Sequence, residues 1–387
     1  MGGKLRVGVI FGGRSVEHEV SLVSARAVIA NLDPERFEVI PIGITKEGRW
    51  VTARDPAVLL QGGPGEGGLT ERRLAGMAAA LPAALTGDPR AGGLVPTGPP
   101  RAAVPAGEPV RFDVVFPLVH GPLGEDGTLQ GLLELAGIPY VGPGVAASAV
   151  GMDKALMKEI FRSRGLPITE HRVYLRAQIR RAIDAIVQEV LGALSLPVFV
   201  KPANGGSSVG VVKVKSPSDL PAALRTAASY DRKVIVEQGF DVREVECAVL
   251  GNDDPAPSIV GEIVPAREFY DYEAKYLDDR SALVVPADLP PATTEEIRRL
   301  AVESFRAVDA AGMARVDFFV RRSDGVVLVN EINTIPGFTS ISMYPRLWAA
   351  TGVPFPRLVE RLIELALERH RDREESARSF APEGAAP

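Results

Sequence analysis

Polar side chains that could bind a metal recur along two neighbouring apolar stretches, residues 314–320 and 326–333. Asp324-Gly325 lies between the stretches and predicts a β-hairpin turn. With a three-residue loop at this turn, Asp317 lies directly opposite Glu331. Two carboxylates that face each other across a hairpin are a candidate site for a divalent cation.

The same register places Arg315 opposite Asn333. Because side chains alternate along a strand, these two residues share one face of the hairpin with the two carboxylates, and Phe319 and Val329 lie beyond them. Carboxylate and amide oxygens beside an arginine suit Mg²⁺, and a carboxylate shared by two ions could clamp both sides of a phosphoryl transfer. The alternative is a buried ion-pair network without a metal. The opposite face is predicted to be apolar and consists of Val316, Phe318, Val320, Leu328 and Ile332.

A glycine- and serine-rich loop is the candidate phosphate site. Lys201 follows the apolar strand 198–200, and the loop Gly205-Gly206-Ser207-Ser208 leads into another strand. Small residues allow successive backbone N–H groups to turn toward an anion, while the lysine adds charge and the serines add hydroxyls. Such a hairpin could clamp a triphosphate, although a mobile glycine hairpin without a ligand fits the loop equally well.

Two further loops contain groups that could bind a substrate. Residues 334–342 combine Gly, Ser and Thr next to the candidate metal ligands, so they could hold a carboxylate or an oxyanion, or form a simple turn into a helix near Tyr344. Residues 12–19 place Glu17 and Glu19 near a helix N-terminus after the first strand, where α/β sheets bind ligands. Capping of that helix is the more common role for such carboxylates.

Three other features are less specific. Residues 268–276 are aromatic and charged, as expected of a lid over a site. His120 lies in a glycine-rich loop, where it could contact a substrate or have a structural role. Cys247, the only cysteine, lies on an alternating strand without a nearby histidine and is expected to fill the core.

The elements that must position these residues begin with a strand at residues 5–11, a helix at 19–32 and a strand at 37–44. This βαβ order predicts an α/β (α+β) fold that opens with a doubly wound parallel sheet. Residues 61–110 are rich in Gly, Pro and Ala without any periodicity, which indicates a surface insertion that is partly disordered. A helix is predicted from Asp153 to Arg164, with Asp153 as its N-cap.

We expect three domains and a tail along the chain. The N-terminal α/β domain, which includes the insertion, covers residues 1–152, and a central region at 153–243 alternates strands and helices. The third region, 244–370, is rich in strands and ends with a helix from Phe355 to about His370. Residues 371–387 lack apolar periodicity and are expected to be disordered.

Composition excludes several classes of function. The 387-residue chain has 44 Lys and Arg residues against 49 Asp and Glu, a net charge of −5, and this balance argues against nucleic acid or an anionic membrane as the main partner. The apolar runs are too short to span a membrane, and no secretion or myristoylation pattern is present, so we expect a cytoplasmic location. One cysteine and four scattered histidines argue against disulfides and zinc. The missing dinucleotide fingerprint excludes a dehydrogenase.

Several long motifs in a fixed order resemble the D-alanine–D-alanine ligase family of the ATP-grasp superfamily. The resemblance implies a three-domain ATP-grasp architecture and the joining of two D-alanines into D-alanyl-D-alanine for peptidoglycan precursors. It also implies ATP and two Mg²⁺ as cofactors, with Mn²⁺ as a plausible substitute, and a homodimer as the usual assembly. The motifs are Phe11 to Ser15, His18 to Leu22, His120 to Gly131, Gly151 to Lys154, Lys201 to Gly210, Tyr270 to Tyr276, Arg315 to Asp317 and Asn330 to Ser342.

The resemblance assigns roles at the reacting end of the site. Glu19 would bind the ammonium group of the first D-alanine, in a hydrogen-bonded set with Ser207 and Tyr276. The first carboxylate would attack the γ-phosphate of ATP, and the second D-alanine would attack the resulting acyl phosphate. Arg315 and the Gly337 N–H would form the oxyanion site. The remaining implied roles are substrate contact for His120, binding of the second carboxylate for Ser342, and metal binding for Asp317, Glu331 and Asn333.

At the nucleotide end, the resemblance implies lysines around the phosphates and a mixed lining around the adenosine. Gln238 stands where many members carry lysine, which leaves a side-chain contact to adenine in question. The implied phosphate ligands are Lys154, Lys201 and Lys275. The implied nucleotide-site residues are Ser207, Ser208, Glu237, Phe240, Glu244, Phe319 and Asn330.

Other functions stay open at this point. A different carboxylate–amine ligase or a D-alanine:D-lactate ligase is one alternative, and Tyr276 argues against the lactate enzyme because relatives of that kind tend to differ there. A nucleotide-binding regulator without catalysis is another. The combination of Arg315 with three metal ligands argues against such a regulator.

Overall fold

The computed structural model describes residues 3–60, 68–74, 77, 79–97, 109–264, 282–339 and 341–376. The strands form three sheets of seven, four and five strands. The first sheet consists of β1 (Leu5–Gly12), β2 (Phe37–Ile44), β3 (Trp50–Thr52), β4 (Leu81–Leu85), β5 (Gly93–Pro96), β6 (Val110–Arg111) and β7 (Val114–Pro117). The helices that accompany it are α1 (His18–Ala30), α2 (Pro56–Leu59), α3 (Glu71–Leu74), α4 (Thr128–Leu135), α5 (Val145–Met152) and α6 (Lys154–Ser163).

The centre of the first sheet is parallel, because β1 pairs in parallel with β2 on one side and with β7 on the other. Helices cover both faces of this centre. Val9 of β1 packs in one buried cluster with Leu22 of α1, while Ile10 packs in a second cluster with Leu133 of α4. The expected doubly wound α/β opening is therefore confirmed.

The expectation for residues 61–110 is partly wrong. Strands β4 and β5 lie within this segment, and the antiparallel order β3-β4-β5-β6 extends the first sheet. Leu69 and Leu94 are buried in the core. Isolated leucines among small residues supply this burial, and they leave no periodic signal in the sequence. Residues 61–67 and 98–108 lie outside the described part of the chain.

The second sheet is antiparallel and is covered by two helices. Its elements are β8 (His171–Leu175), α7 (Arg176–Ala193), β9 (Val198–Pro202), β10 (Val212–Val214), a 3₁₀ turn (Pro217–Asp219), α8 (Leu220–Tyr230) and β11 (Lys233–Gln238). The strand order is β10-β9-β11-β8, and Val200 and Val234 lie in a buried cluster with Val190 and Leu224 of the helices. Strand β8 and helix α7 lie between the predicted helix at residues 153–164 and the predicted strand at 198–200, where no individual element was predicted.

The third sheet carries the predicted polar hairpin. It consists of β12 (Val242–Gly251), β13 (Ala256–Val264), β14 (Ala282–Val284), β15 (Gly312–Arg321) and β16 (Val327–Asn333), in the order β14-β13-β12-β15-β16. Three helices follow or interrupt these strands: α9 (Pro291–Ala307), α10 (Met343–Ala350) and α11 (Phe355–Glu374). One face of the sheet packs on α6 and α9, through residues such as Phe161 and Phe305. Cys247 is buried in this cluster, and burial raises the pKa of its thiol to about 12, so the expected role as core filler is confirmed.

Two helix boundaries test the sequence reading. Asp153 caps α6, because its carboxylate accepts hydrogen bonds from the N–H groups of Ala155 and Leu156. Helix α11 continues to Glu374, so the prediction of a disordered tail from residue 371 is wrong for this last turn. Arg373 in the turn forms an ion pair with Glu134. Residues 377–387 lie outside the described chain. Among the described helices, none has an apolar stretch long enough to cross a membrane.

Candidate active site

A cleft of about 1410 Å³ is lined by strand residues of the second and third sheets, such as Lys201 and Asp317. Helix and loop residues that accompany the first sheet, such as Glu19 and His120, complete its lining. Val264 and Leu283, which flank the segment 265–281, also line it. The whole predicted lid, residues 268–276 with Lys275 and Tyr276, lies outside the described residues. The predicted residues that line the cleft are Glu19, His120, Lys154, Lys201, Ser207, Ser208, Glu237, Phe240, Glu244, Arg315, Asp317, Phe319, Asn330, Glu331, Asn333, Gly337 and Ser342.

The polar end of the hairpin has the predicted register. Arg315 pairs with Asn333 and Asp317 pairs with Glu331, so the four polar residues share the face that lines the cleft. The register shifts by one residue just beyond Asp317, at a β-bulge that contains Asn330. The bulge compensates for a turn that is one residue longer than predicted.

This shift corrects the apolar assignments near the turn. Arg321, and not Arg322, bonds to Val326, with an N···O distance of 3.0 Å. Phe319 pairs with Leu328 and not with Val329. Val329 therefore joins the buried cluster on the opposite face, where the sequence placed Leu328.

Charged neighbours surround the two carboxylates of the hairpin. Arg315 donates to both carboxylate oxygens of Asp317, from Nε at 2.7 Å and from a terminal nitrogen at 2.8 Å. The amide nitrogen of Asn333 donates to Asp317 Oδ2 at 2.9 Å, and Lys154 Nζ lies 3.0 Å from Glu331 Oε2. The positively charged side chains of Arg315 and Lys154 therefore compensate the charge of the two carboxylates.

The donor set fits Mg²⁺. Asp317 and Glu331 supply carboxylate oxygens, and Asn333 presents an amide oxygen because its nitrogen faces Asp317. Among the described residues, no group of three or more His, Cys, Asp and Glu side chains forms a metal site. A site with two carboxylates agrees with Mg²⁺, which is commonly bound by one or two carboxylates together with substrate phosphates.

A second carboxylate, which the sequence did not single out, reaches the same guanidinium. Glu246 Oε2 lies 3.0 Å from Arg315 Nε, and Glu246 is buried. Although burial disfavours the charged form, Asp317 and Glu246 raise the pKa of Arg315. Arg315 is therefore a fixed positive charge at the cleft wall.

The structure corrects the expected partner of Ser207. Its hydroxyl donates to Glu17, which is buried, while Glu19 forms an ion pair with Lys46 at 2.5 Å. Glu17 occupies the N-cap position of α1, but its side chain makes no capping hydrogen bond, so the capping interpretation is also wrong for this residue. Close packing explains the glycine beside it, because a Cβ on Gly206 would lie 2.9 Å from Glu17 Oε2.

The serine loop is held in an uncommon backbone conformation. It joins the antiparallel strands β9 and β10, as predicted, and Ser207 and Ser208 have positive φ angles of 50° and 57°. Non-glycine residues rarely adopt this region, and such strain tends to occur at ligand-binding sites. Lys154 connects the loop with the metal candidates, since its Nζ also donates to the Gly205 carbonyl at 3.0 Å.

Glu237 lies between two lysines. Lys158 Nζ is 2.9 Å from its Oε1, and Lys201 forms an ion pair with its Oε2. Despite burial, the two lysines hold the pKa of Glu237 far below its usual range, whereas burial lowers the pKa of Lys158. Lys158 also contacts Thr169 and the Asn330 carbonyl. Sequence reading missed Lys158 because a lysine on an amphipathic helix is usually on the exposed face.

The loop after β16 also lines the cleft. The Thr339 N–H donates to Ser342 Oγ at 3.1 Å, and α10 starts at the next residue, as predicted for a helix near Tyr344. A Cβ on Gly337 would lie 2.8 Å from Ser342 Oγ, so a larger residue here would displace that hydroxyl. The Gly337 backbone and the Ser342 hydroxyl are thus neighbours at the cleft wall.

His120 is a buried connector between loops. Its Nε2 lies 3.1 Å from Ser24 Oγ, and its Nδ1 lies 3.2 Å from both Glu125 Oε1 and the Ile335 carbonyl. Burial disfavours the charged ring, but Glu125 outweighs burial and raises the pKa of His120. These contacts give the histidine the structural role that the sequence left open, and the residue also lines the cleft.

Comparisons with known proteins agree with this geometry. Residues 6–143 match the family model "D-ala D-ala ligase N-terminus", and residues 160–364 match "D-ala D-ala ligase C-terminus". The chain is 49% identical over 375 residues to the D-alanine--D-alanine ligase of Acetivibrio thermocellus, covering 96% of this chain and 98% of the relative. It is 46% identical over 380 residues to the enzyme of that name from Geobacillus kaustophilus, covering 98% and 99%.

Solved structures give the same result. The D-alanine-D-alanine ligase from Coxiella burnetii is similar with a TM-score of 0.81 and 37% identity, covering 97% of each chain. The VanG D-Ala:D-Ser ligase from Enterococcus faecalis is similar with a TM-score of 0.81 and 35% identity, covering 94% of this chain and all of that one. The two family models together, and the full-length relatives, span all three sheets. The chain therefore belongs to the D-alanine–D-alanine ligase family and has its ATP-grasp fold.

Proposed function

We propose that the cleft is the place where this chain joins two D-alanines into D-alanyl-D-alanine at the expense of ATP. The product is the dipeptide of peptidoglycan precursors. The observation that carries the proposal is the shared face of Arg315, Asp317, Glu331 and Asn333, next to the lysines and the serine loop of one cleft. This arrangement combines phosphate binding with stabilisation of an oxyanion.

The first step is activation of a carboxylate. The carboxylate of the first D-alanine attacks the γ-phosphorus of ATP, the bond from that phosphorus to ADP breaks, and D-alanyl phosphate forms. Lys154 and Lys201 border the cleft and offset the negative charge that gathers around the transferred phosphoryl group. When bound at Asp317, Glu331 and Asn333, Mg²⁺ or Mn²⁺ supplies further charge neutralisation for the phosphate oxygens.

The second step forms the amide bond. The deprotonated amine of the second D-alanine attacks the carbonyl carbon of D-alanyl phosphate, and phosphate leaves. Arg315 and Gly337 line the cleft, where the guanidinium and the backbone N–H can stabilise the tetrahedral oxyanion, and Ser342 can hold the second substrate's carboxylate. Oxyanion donors act mainly in the transition state, so Arg315 affects kcat more than substrate affinity.

Glu17 is the better candidate for binding the ammonium group of the first D-alanine. The resemblance assigned this role to Glu19, but Glu17 is the carboxylate that contacts Ser207 and borders the cleft. Glu19 is engaged with Lys46 on the same wall. A buried carboxylate beside a hydroxyl favours a positively charged partner.

The nucleotide is proposed to lie between the second and third sheets. Glu237, Phe240, Glu244 and Phe319 line that part of the cleft. Gln238 uses its side chain to bond the backbone of Ser195, with distances of 2.8 and 2.7 Å, which supports the absence of a side-chain contact to adenine. The expected domains at 1–152, 153–243 and 244–370, the homodimer and the cytoplasmic location remain predictions.

Phosphate release and product mass test the proposal. Purified protein with ATP and Mg²⁺ should release phosphate with D-alanine and form D-alanyl-D-alanine, but not with L-alanine or without an amino acid. D-serine and D-lactate, each supplied with D-alanine, compare the alternative second substrates, since the VanG relative is a D-Ala:D-Ser ligase. Preferential formation of a mixed product would overturn D-alanine as the second substrate.

A further inference from the structure

Glu246 is a buried carboxylate that the proposed reaction does not use. It lies on β12 directly opposite Asp317 of β15, and it is 4% exposed. Its side chain lies on the same side of the sheet as Arg315, because Nε of that arginine is 3.0 Å from Glu246 Oε2. A buried carboxylate needs a compensating positive charge, and Arg315 supplies one.

Arg315 is shared between two carboxylates. Its Nε lies 2.7 Å from Asp317 Oδ1 and 3.0 Å from Glu246 Oε2, so both acidic groups face the same edge of the guanidinium. Its terminal nitrogen bonds the other Asp317 oxygen at 2.8 Å. In the present geometry both guanidinium hydrogen bonds go to Asp317, and Glu246 Oε2 lies beside Nε as an ion-pair partner at 3.0 Å.

Asp317 is proposed to bind the metal, and Arg315 is proposed to stay at the oxyanion site. These roles conflict unless a second carboxylate holds Arg315 when Asp317 turns to the metal. Mg²⁺ binds carboxylate oxygens at about 2.0–2.1 Å and requires regular geometry, so it would compete with the guanidinium for the same Asp317 oxygens. An arginine that lost Asp317 without another carboxylate would be free to rotate away from the oxyanion position. Glu246 offers an acceptor on the neighbouring strand, within hydrogen-bond distance of Nε.

We propose that Glu246 is a positioning residue that keeps Arg315 at the oxyanion site while Asp317 binds the metal. This inference rests on the proposed function, because it assumes the metal and oxyanion roles given above. Glu246 acts through Arg315 and does not contact the reacting atoms. Two effects follow from its removal: Arg315 loses its second anchor, and it competes more strongly with the metal for Asp317.

The test is Glu246→Gln, which keeps the size of the side chain and removes its charge. We expect kcat to fall by about tenfold or more, because an interaction with a charged group typically contributes that much. The KM for ATP should stay within about twofold of the wild-type value. We also expect the Kd for Mn²⁺, measured by electron paramagnetic resonance with ADP, to rise by about threefold or more. Unchanged kcat and unchanged Mn²⁺ affinity in the folded variant would overturn the proposal.

The matched control is Glu134→Gln. Glu134 is also partly buried and paired with an arginine, Arg373, but it lies outside the cleft. The Glu134→Gln variant should be less stable than the wild type, but its affinity for Mn²⁺ should not change. A shift of Mn²⁺ affinity as large as that of Glu246→Gln would show a general effect of lost ion pairs and would overturn the specific role.

A double-mutant cycle shows whether Glu246 acts through Arg315. In an Arg315→Lys background, Glu246→Gln should reduce kcat by no more than about twofold, because lysine lacks the planar guanidinium that Glu246 would hold in place. Additive losses would overturn the positioning role.

Glu246→Asp, whose side chain is shorter, replaces Glu246→Gln if that variant does not fold. It should show a smaller fall in kcat and a smaller rise in the Kd for Mn²⁺. If neither quantity changes, the proposal is contradicted. Absence of dipeptide synthesis by the wild type would overturn the proposed function, whereas the Mn²⁺ shift is measured without turnover.

Discussion

Lys158 and Glu237 form an ion pair inside the protein, with Nζ 2.9 Å from Oε1 and side chains that are 1% and 3% exposed. The lysine lies on α6 and the glutamate on β11. The same ammonium group reaches the Asn330 carbonyl on β16 at 3.3 Å, so one buried charge connects the second and third sheets. Those are the two sheets between which the nucleotide is proposed to bind.

Lys158→Met should destabilise the protein by about 3–5 kcal/mol, because removal of one partner leaves a buried carboxylate with less compensation. The same change should weaken ADP binding, since Glu237 lines the cleft. Urea unfolding and ADP titration measure the two effects, and Lys4→Met, at an exposed position, is the control. Lys158→Met/Glu237→Gln should regain part of the stability but not the ADP affinity. Wild-type stability of the single variant would contradict the buried-pair account.

His18 should stay neutral under mildly acidic conditions. The Leu69 N–H donates to its Nε2 at 2.9 Å, so the ring proton must be on Nδ1, which lies 2.8 Å from the Gly13 carbonyl. Burial lowers the pKa of His18 below 6.5. Because the folded-state pKa is the lower one, the resulting stability is present above pH 6.5 and is lost as the pH falls through the folded value.

Nuclear magnetic resonance of the ring nitrogens measures this titration for His18 alone. We expect the Nδ1–H tautomer and a titration midpoint below 6.5. His18→Gln should assign the signal and make unfolding less sensitive to pH between 5 and about 6.5. A ring that is already half protonated above pH 6.5 would rule out the neutral hydrogen-bonded histidine.

Glu17 and Glu19 should differ sharply when each is changed to glutamine. Glu17→Gln should reduce kcat/KM for D-alanine by about 10- to 100-fold, because a charged hydrogen-bonding partner of the ammonium group is lost. Glu19→Gln breaks only the partly exposed pair with Lys46, so its effect should be about threefold or less. Steady-state kinetics in D-alanine measure both, and a larger loss in the Glu19 variant would restore the original assignment.

Local patterns were sufficient to predict much of the fold and the polar cluster. Alternation along two strands and a turn between them placed Arg315, Asp317, Glu331 and Asn333 on one face, and the structure agrees. The bulge at Asn330 was not predictable, because an extra residue in a turn and an extra residue in a strand leave the same spacing at the site. For this reason the sequence-based prediction assigned Leu328 and Val329 to the wrong faces of the hairpin.

Long-range contacts account for the features that sequence reading missed. Glu17 and Glu19 flank His18 in one helical turn, and only the fold shows which of them meets Ser207, 190 residues away. Lys158 resembles a surface lysine until β11 brings Glu237 to it. Leu69, in a segment interpreted as a surface insertion, packs in the core, and its backbone N–H donates to the distant His18. Such pairings depend on tertiary packing, which one sequence does not reveal.

The central claim is that the carboxylate of D-alanine is activated by phosphoryl transfer in this cleft. Turnover of D-alanine labelled with ¹⁸O in its carboxylate, followed by mass spectrometry of phosphate and dipeptide, tests it most directly. We predict that each phosphate carries one ¹⁸O atom and that the new amide carbonyl keeps the other. Dipeptide formation with ¹⁸O-free phosphate would contradict attack of the carboxylate on the γ-phosphorus.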